Sequence, residues 1–419
     1  MITFRVKKKK RVLQLMLAIF LCSCLALAFF TCKGNHISHL SSLISHLSRP
    51  SQFSVLSSQL TYVSPVDSSI LLAGNFGEPR PWHFHGGIDI KTQNREGWNV
   101  RAIADGYVSR LTVNLFGFGN AVYVSHPDGH TSIYCHLQRF ADQYEQLFQR
   151  TGRRDTLDFH FPAGQLPVSR GDVIALSGNT GYSTGPHLHL EIHDSETWAM
   201  RDPMDFLGHL IADTVAPQAH SLMAVPMAGE GLFCGSDQKQ TFGIAQPGEK
   251  VRRSSLTIRR EFTAWGRVGF ALWADDYSQT VHNHYGIRHT QLLVDGREVF
   301  RSDVDSIPIS CQPEVNLWGD YAHWWHHHHW YMKSYREPGM RLPILHTGLD
   351  RGIVTFSEER PYQLTYILRD YHGNQAEYHF TVVGRRDSRI PRPRRRLYFS
   401  DALPGWQQLL WPLRECYKQ

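Results

Sequence analysis

The sequence predicts a mainly β protein in which two β domains follow each other along the chain. From about Tyr62, short apolar stretches with period-two alternation are separated by glycine-rich turns, as expected for antiparallel strands. Near Asp213 the pattern resets at a proline-containing segment, and further alternating strands follow. The 419 residues suit about two or three domains, and a hydrophobic content of 42% suffices for ordinary globular cores.

Residues 1–33 have the pattern of an export signal or membrane anchor. A basic stretch at 7–11 precedes a nearly unbroken apolar run at 12–31. The run is about long enough to span a bilayer, which takes roughly 20 apolar residues. The basic flank predicts that the rest of the chain is exported to the periplasm or cell envelope. A cleaved signal, an uncleaved anchor and lipid attachment at Cys24 or Cys32 are all compatible with this pattern.

Residues 34–60 are rich in Ser and His and predict a linker. The first domain is predicted over 61–212. The sequence indicates strands there, at 100–108, 121–125, 132–136, 173–177 and 187–192. Apolar residues at helical spacing predict an amphipathic helix over 138–151, followed by a loop over 152–167.

The second domain is predicted over 213–384 as an immunoglobulin-like β-sandwich. Alternating residues on either side of His372-Gly373-Asn374 indicate one hairpin, and an Asp295-Gly296 turn indicates another. Residues 385–419 form a basic tail, which suits binding to a membrane or an anionic polymer because no nucleic-acid module is present, but a solvated flexible tail fits the sequence equally well. For Cys234 and Cys311, a disulfide and two free thiols are equally compatible with the sequence.

Three short segments concentrate residues that bind metals and transfer protons. They are His83-Phe84-His85-Gly86-Gly87-Ile88-Asp89, Tyr134-Cys135-His136-Leu137 and His187-Leu188-His189. A hydrolytic zinc needs about three nitrogen or oxygen ligands and one open position, with an acid/base group close by. His-x-x-x-Asp supplies an imidazole and a carboxylate, and His-x-His in a strand places two imidazoles on one face. Each segment alone is a weak signal among 25 histidines, but their joint occurrence is specific.

The ordered set resembles the lysostaphin/LytM-type zinc endopeptidases, with their H-x-x-x-D, x-x-H-L and H-x-H motifs, over roughly residues 70–195. The resemblance implies a groove-forming antiparallel β-sheet domain of the duplicated-hybrid-motif type. It implies Zn²⁺ as the cofactor, with His85, Asp89 and His189 as ligands and His136 and His187 as the catalytic pair. Because family members cut peptidoglycan stems or cross-bridges, it also implies peptidoglycan peptides as the substrate.

Some features depart from the family or leave alternatives open. His83 competes with His85 as a ligand, although His85 keeps the family spacing to Asp89. The run His326-His327-His328-His329 predicts an exposed loop with flanking tryptophans, in preference to a physiological metal site. The second domain is expected to bind glycan or a protein partner. The alternative function is a non-catalytic wall-binding module that activates another hydrolase.

Overall fold

The computed structural model describes residues 61–149, 157–244 and 255–389. The predicted export segment, the linker and residues 390–419 of the basic tail lie outside this part of the chain. Within the described ranges, no helix is long and apolar enough to cross a membrane.

The first part of the chain folds as short strands around one short helix. The strands are β1 (Leu72–Gly74), β2 (Pro79–Arg80), β3 (His83–Phe84), β4 (Gly87–Lys91), β5 (Asn99–Arg101), β6 (Gly106–Val113), β7 (Ala121–Ser125), β8 (His130–Cys135), β9 (Leu137–Phe140), β10 (Leu157–His160), β11 (Pro167–Val168), β12 (Val173–Ser177), β13 (His187–Asp194) and β14 (Met200–Arg201). The helix α1 (Asp142–Gln149) follows β9. The prediction of a mainly β fold is confirmed.

The main sheet of this part has the order β1-β4-β13-β8-β7-β6-β10. Its central strand is β13, which pairs antiparallel with β4 on one side and with β8 on the other. Ile88, Leu188, Leu190 and Ile192 are fully buried and pack on the sheet's apolar face. Since side chains alternate along a strand, the same strands turn their polar residues to the opposite face.

Three local predictions for this part are wrong in detail. Residues 138–140 belong to β9, and α1 begins only at Asp142. The Phe140 N–H, just before the helix, donates to Glu145 Oε1 at 2.9 Å. The predicted loop at 152–167 contains β10 and β11, which both pair with β6. The predicted strand at 100–108 is two strands, β5 and β6, which lie in different sheets.

The second part of the chain is dominated by long strands. They are β15 (Gln218–Phe233), β16 (Gln240–Gly243), β17 (Ser255–Thr257), β18 (Phe262–Tyr277), β19 (His284–Tyr285), β20 (His289–Val294), β21 (Arg297–Asp303), β22 (Ser306–Ile307), β23 (Met332–Lys333), β24 (Leu345–Thr347), β25 (Val354–Phe356), β26 (Pro361–Arg369) and β27 (Gln375–Gly384). The single-turn helix α2 (Met204–Leu207) and a 3-10 turn at Gly208–Leu210 follow β14, and Met204 and Leu207 pack into the core of the first part. The second part has the short helices α3 (Val315–Trp318) and α4 (Tyr321–His327), with a 3-10 turn at Ile309–Glu314.

Both predicted hairpins are confirmed. Strands β26 and β27 pair antiparallel with strictly alternating burial, and β20 and β21 are joined at Asp295 and Gly296. Both turn residues have positive φ, as a two-residue hairpin turn of this type requires. In the described residues, these strands belong to a single sheet of order β16-β15-β18-β27-β26-β20-β21-β24, so an immunoglobulin-like arrangement is not confirmed.

The two parts share an extensive contact. β14 pairs with β22, and Phe76, Phe84 and Met200 pack into the core of the second part. The division at residue 213 stays a prediction, although two separate apolar cores support it. Cys234 and Cys311 are free thiols, so the disulfide alternative is wrong.

The histidine run is exposed, as predicted, but only His328 and His329 lie outside a helix. His326 and His327 complete the last turn of α4, and His328 caps it in the left-handed conformation. The His329 ring stacks on Trp273 with centroids 3.8 Å apart.

Candidate metal centre and active site

His85, Asp89 and His189 come together on the polar face of the main sheet. Asp89 lies in β4 directly opposite His189 in β13, and His85 lies just before β4. Glycine allows this approach, because a Cβ on Gly87 would lie 2.1 Å from the Leu190 carbonyl oxygen. All three side chains are buried, with residue exposures of 2%, 8% and 6%.

The facing atoms form a tight triangle. His85 Nε2 lies 3.0 Å from Asp89 Oδ1 and 3.0 Å from His189 Nδ1, and His189 Nδ1 lies 2.7 Å from Asp89 Oδ1. Zinc ligands at about 2.0–2.2 Å from a tetrahedral ion are roughly 3.3 Å apart, so only a small expansion of the triangle would admit zinc.

The tautomers indicate that a cation belongs between these atoms. His85 Nδ1–H donates to the Asn75 carbonyl at 2.6 Å, and His189 Nε2–H donates to Glu191 Oε1 at 2.9 Å. In their neutral forms, both rings therefore turn a lone pair toward the other and toward a carboxylate oxygen. Three converging acceptors repel one another unless a proton or a metal ion lies among them. The donor set therefore fits a divalent metal.

The electrostatics of the triangle agree with this interpretation. Burial alone lowers the pKa of His189, but its hydrogen bonds with Asp89 and Glu191 outweigh burial and raise it to about 9. Burial lowers the pKa of His85 to about 4. Burial would raise the pKa of Asp89, yet the charge of His85 and the hydrogen bonds from His187 and His189 hold it far below its usual range. Asp89 is therefore an anion.

His136 and His187 lie beside the triangle. Their ring centroids are 4.9 Å apart, and His187 Nε2 lies 3.4 Å from Asp89 Oδ1. His136 Nδ1–H donates to the Thr180 carbonyl at 2.8 Å and His187 Nδ1–H to the Gly185 carbonyl at 2.8 Å, so Nε2 of a neutral His136 keeps its lone pair, whereas His187 Nε2 faces the Asp89 carboxylate. Burial, reinforced by His189 and His187, lowers the pKa of His136 to about 4.

The prediction that His136 lies in a strand is wrong. It follows β8 with φ of 59°, a left-handed conformation that is uncommon outside glycine and is often found at functional sites. This conformation, with the Phe118 carbonyl accepting from the backbone N–H at 2.8 Å, brings the imidazole next to His187.

Residues 83–150 match the profile of Peptidase family M23. This segment contains three of the five site residues, His85, Asp89 and His136. The chain carries a peptidase family M23 domain. It is 36% identical over 110 residues to the DD-carboxypeptidase/endopeptidase Mpg of Neisseria meningitidis, covering 26% of this chain and 20% of the relative.

Other relatives also match part of the chain. The chain is 33% identical over 135 residues to the peptidoglycan DD-endopeptidase ShyA of Vibrio cholerae, covering 30% of this chain and 26% of the relative. The solved catalytic domain of lysostaphin from Staphylococcus simulans is 26% identical with a TM-score of 0.26, and the match covers 33% of this chain and 92% of that domain. The chain thus spans about a quarter or less of the length of these two curated relatives.

The M23 domain places His83 away from the metal triangle. The His83 side chain is exposed, and its Nδ1 lies 3.1 Å from the Pro81 carbonyl oxygen, whereas the His85 side chain points into the protein. This placement favours His85 over His83, as the family spacing predicts.

Several residues that orient the ligands of the M23 domain were not predicted from the sequence. Glu191 also accepts from His193 Nε2, at 2.6 Å, and Arg80 Nη2 donates to Asp89 Oδ2 at 2.8 Å. The sequence could have predicted Glu191, because this residue continues the period-two face of His187 and His189. The sequence carries no such signal for Arg80.

The second part of the chain holds the first motif of the M23 domain in position. The Phe84 N–H donates to Gln312 Oε1 at 2.7 Å, and the Trp82 N–H donates to Asn316 Oδ1 at 3.3 Å. Asn75, whose carbonyl accepts from His85, exchanges two hydrogen bonds of 2.9 Å with the backbone of Gly286. The orientation of His85 therefore depends on residues more than 200 positions away.

Proposed function

We propose that this protein is an exported zinc endopeptidase that hydrolyses peptide bonds of cell-wall peptidoglycan, in stems or cross-links. The observation that carries the proposal is the convergence of three buried metal-binding atoms, from His85, Asp89 and His189, next to two further imidazoles. The names of its relatives, which include peptidoglycan endopeptidases, support the substrate class.

The ligands are His85, Asp89 and His189, each oriented by a second residue. Zinc in such a site acts as a Lewis acid toward a carbonyl and lowers the pKa of water toward neutrality. Asn75 and Glu191 fix the two imidazole tautomers, which keeps His85 Nε2 and His189 Nδ1 available as ligands. Arg80 keeps the second oxygen of Asp89 occupied, so that Oδ1 remains the ligand atom.

His136 and His187 form the catalytic pair. Each has its Nδ1–H fixed by a backbone carbonyl, so proton transfer uses Nε2. The low pKa of His136 keeps this ring neutral near pH 7, as a proton acceptor must be. One imidazole accepts the proton of the attacking water. The protonated ring then donates to the departing amine, while its neighbour, when its own Nε2 is protonated, donates a hydrogen bond to the oxyanion.

The decisive test is release of new amino termini from purified peptidoglycan by the zinc-loaded protein. We expect release by the unsubstituted protein and none by the double variant His85→Ala/His189→Ala. His83→Ala is the matched control, because it removes an exposed histidine of the same motif and should leave activity intact. No release under conditions in which a known relative works, or full release by the double variant, would contradict the proposal.

We further propose that the second domain contributes a glycan-contacting surface. The Trp82 and Tyr321 rings lie 5.6 Å apart, and Trp325, which is 61% exposed, lies 6.2 Å from Tyr321. Aromatic faces of this kind suit stacking on sugar rings. Trp82 lies three residues before His85 in the sequence.

A further inference from the structure

A second cluster of metal-binding groups lies away from the M23 site, where the two parts of the chain meet. Asp213, Asp370 and His372 each place one ligand atom within 4.8 Å of the others. Asp213 lies in the segment that joins the two parts, and the other two residues lie at the turn between β26 and β27. None of them was singled out as a ligand by the sequence.

The cluster borders a small cavity of about 50 Å³. A single water needs roughly 10–15 Å³ by the same measure, so the cavity has room for an ion together with water ligands. Its walls come from both parts of the chain, with Leu72 and Asn75 on one side and Tyr371 on the other.

The cavity has a large excess of negative charge. Its lining includes four aspartates, at positions 202, 213, 276 and 370, and a single arginine, Arg288. That arginine is already engaged, because its guanidinium pairs with Asp202 and with Asp205. Apart from the imidazole of His372, no other side chain in the lining can carry a positive charge to offset the other three carboxylates.

Asp276 gives an independent indication that a cation binds at this cluster. It is only 8% exposed, and its Oδ1 is buried without a hydrogen-bond partner among the described residues. Burial, with the nearby carboxylates of Asp370 and Asp213, raises the pKa of Asp276 well above its usual range. Without a nearby positive charge the raised pKa favours the protonated carboxyl, and a bound cation would stabilise the ionised carboxylate instead.

The hydrogen bonds around the cluster preorganise its ligands. The Asp370 carboxylate accepts from the Asn374 backbone N–H at 2.8 Å and from its side-chain amide at 2.6 Å. His372 Nε2–H donates to the Ile211 carbonyl at 2.7 Å, so the lone pair of the neutral ring is on Nδ1. Asp213 Oδ1 accepts from the Thr214 N–H at 2.7 Å, which fixes its carboxylate. Outer contacts of this kind orient metal ligands in proteins.

We propose that Asp213, Asp370 and His372 bind a divalent transition-metal ion such as Zn²⁺, with Asp276 supplying further negative charge. Two carboxylates and an imidazole suit zinc or manganese better than calcium, which prefers oxygen ligands alone. The ion would link the joining segment to the β26–β27 turn. Its role is structural, since it would fix the second part of the chain against the M23 domain.

The test uses the full-length protein with the first site removed by His85→Ala/His189→Ala, so that its outcome does not depend on the hydrolase proposal. Into this background we add His372→Ala or Asp213→Asn, and His282→Ala as an exposed control. Each protein is equilibrated with Zn²⁺ and dialysed. Metal content is measured by elemental analysis, and thermal unfolding is followed with Zn²⁺, Mn²⁺ or Ca²⁺.

We expect the background and the His282→Ala control to retain about one zinc per chain more than either cluster variant, and zinc to raise Tm only where the cluster is intact. Zinc bound by the His326–His329 run does not affect the differences between the proteins, because every protein keeps that run. Equal zinc content in all four proteins would overturn the proposal. Stabilisation by Ca²⁺ alone would overturn the assigned ion class. Circular dichroism distinguishes lost binding from lost folding, and two cluster variants guard against one that fails to fold.

Discussion

Replacement of Glu191 by glutamine is expected to weaken zinc binding while leaving all three ligands in place. The carboxylate is 5% exposed and accepts from two imidazoles, His189 and His193. Burial would raise the pKa of Glu191, but hydrogen bonds from both histidines hold it well below its usual value, so the side chain is an anion. A glutamine has nearly the same shape but carries no charge.

The expected magnitude follows from these two contacts. A carboxylate has an acceptor oxygen for each N–H donor, whereas an amide has one oxygen and a donating NH₂ group. Glutamine can therefore satisfy only one of the two imidazoles. The loss of such an outer contact typically lowers metal affinity by about 10–100-fold, or about 1.4–2.7 kcal/mol. If the amide oxygen accepts from His193, the His189 tautomer is no longer fixed. The loss of zinc affinity is then at the upper end of this range.

The assay is competition for zinc between the protein and a chromophoric chelator at pH 7. Glu196→Gln is the matched control, because Glu196 lies on an exposed turn of the same chain segment and should leave the affinity unchanged. Thermal unfolding of the metal-free proteins reports any loss of folding separately. An affinity for zinc within twofold of the unsubstituted protein, in a folded Glu191→Gln variant, would refute the argument that Glu191 orients His189.

Three further predictions address the chemistry, the sheet and the second domain. His136→Ala and His187→Ala are each expected to lower kcat by about 10²–10⁴-fold with zinc content unchanged, since proton transfer is lost but the ligands remain. Peptide hydrolysis and elemental analysis check this, and parallel loss of zinc would contradict it. Gly87→Ala places a Cβ 2.1 Å from the Leu190 carbonyl oxygen and should destabilise the fold by about 1–3 kcal/mol in denaturant unfolding; unchanged stability would count against the β4–β13 register. Trp325→Ala should reduce binding to glycan-containing peptidoglycan fragments but not hydrolysis of free peptides, and equal effects on both would exclude a glycan contact.

The sequence by itself determined the features that depend on local periodicity. The alternation of His187 and His189 fixed two imidazoles on one face of a strand, and the Asp295-Gly296 pair fixed a hairpin turn with two positive φ angles. The M23 match and the buried triangle agree with the motifs that were recognised along the chain. These features could be predicted because strand geometry repeats every two residues and turn chemistry involves adjacent residues.

Only the tertiary structure decided how the site is supported. The short strands β10 and β11 form because β6 offers them a partner, so nothing in their own sequence distinguishes them from a loop. The contact of Asn75 with Gly286, which orients His85, joins residues 211 positions apart. The cluster at Asp213, Asp370 and His372 likewise depends on two distant segments meeting. A carboxylate or amide becomes a ligand or an orienting group only through burial and its neighbours, and these are fixed when the chain has packed.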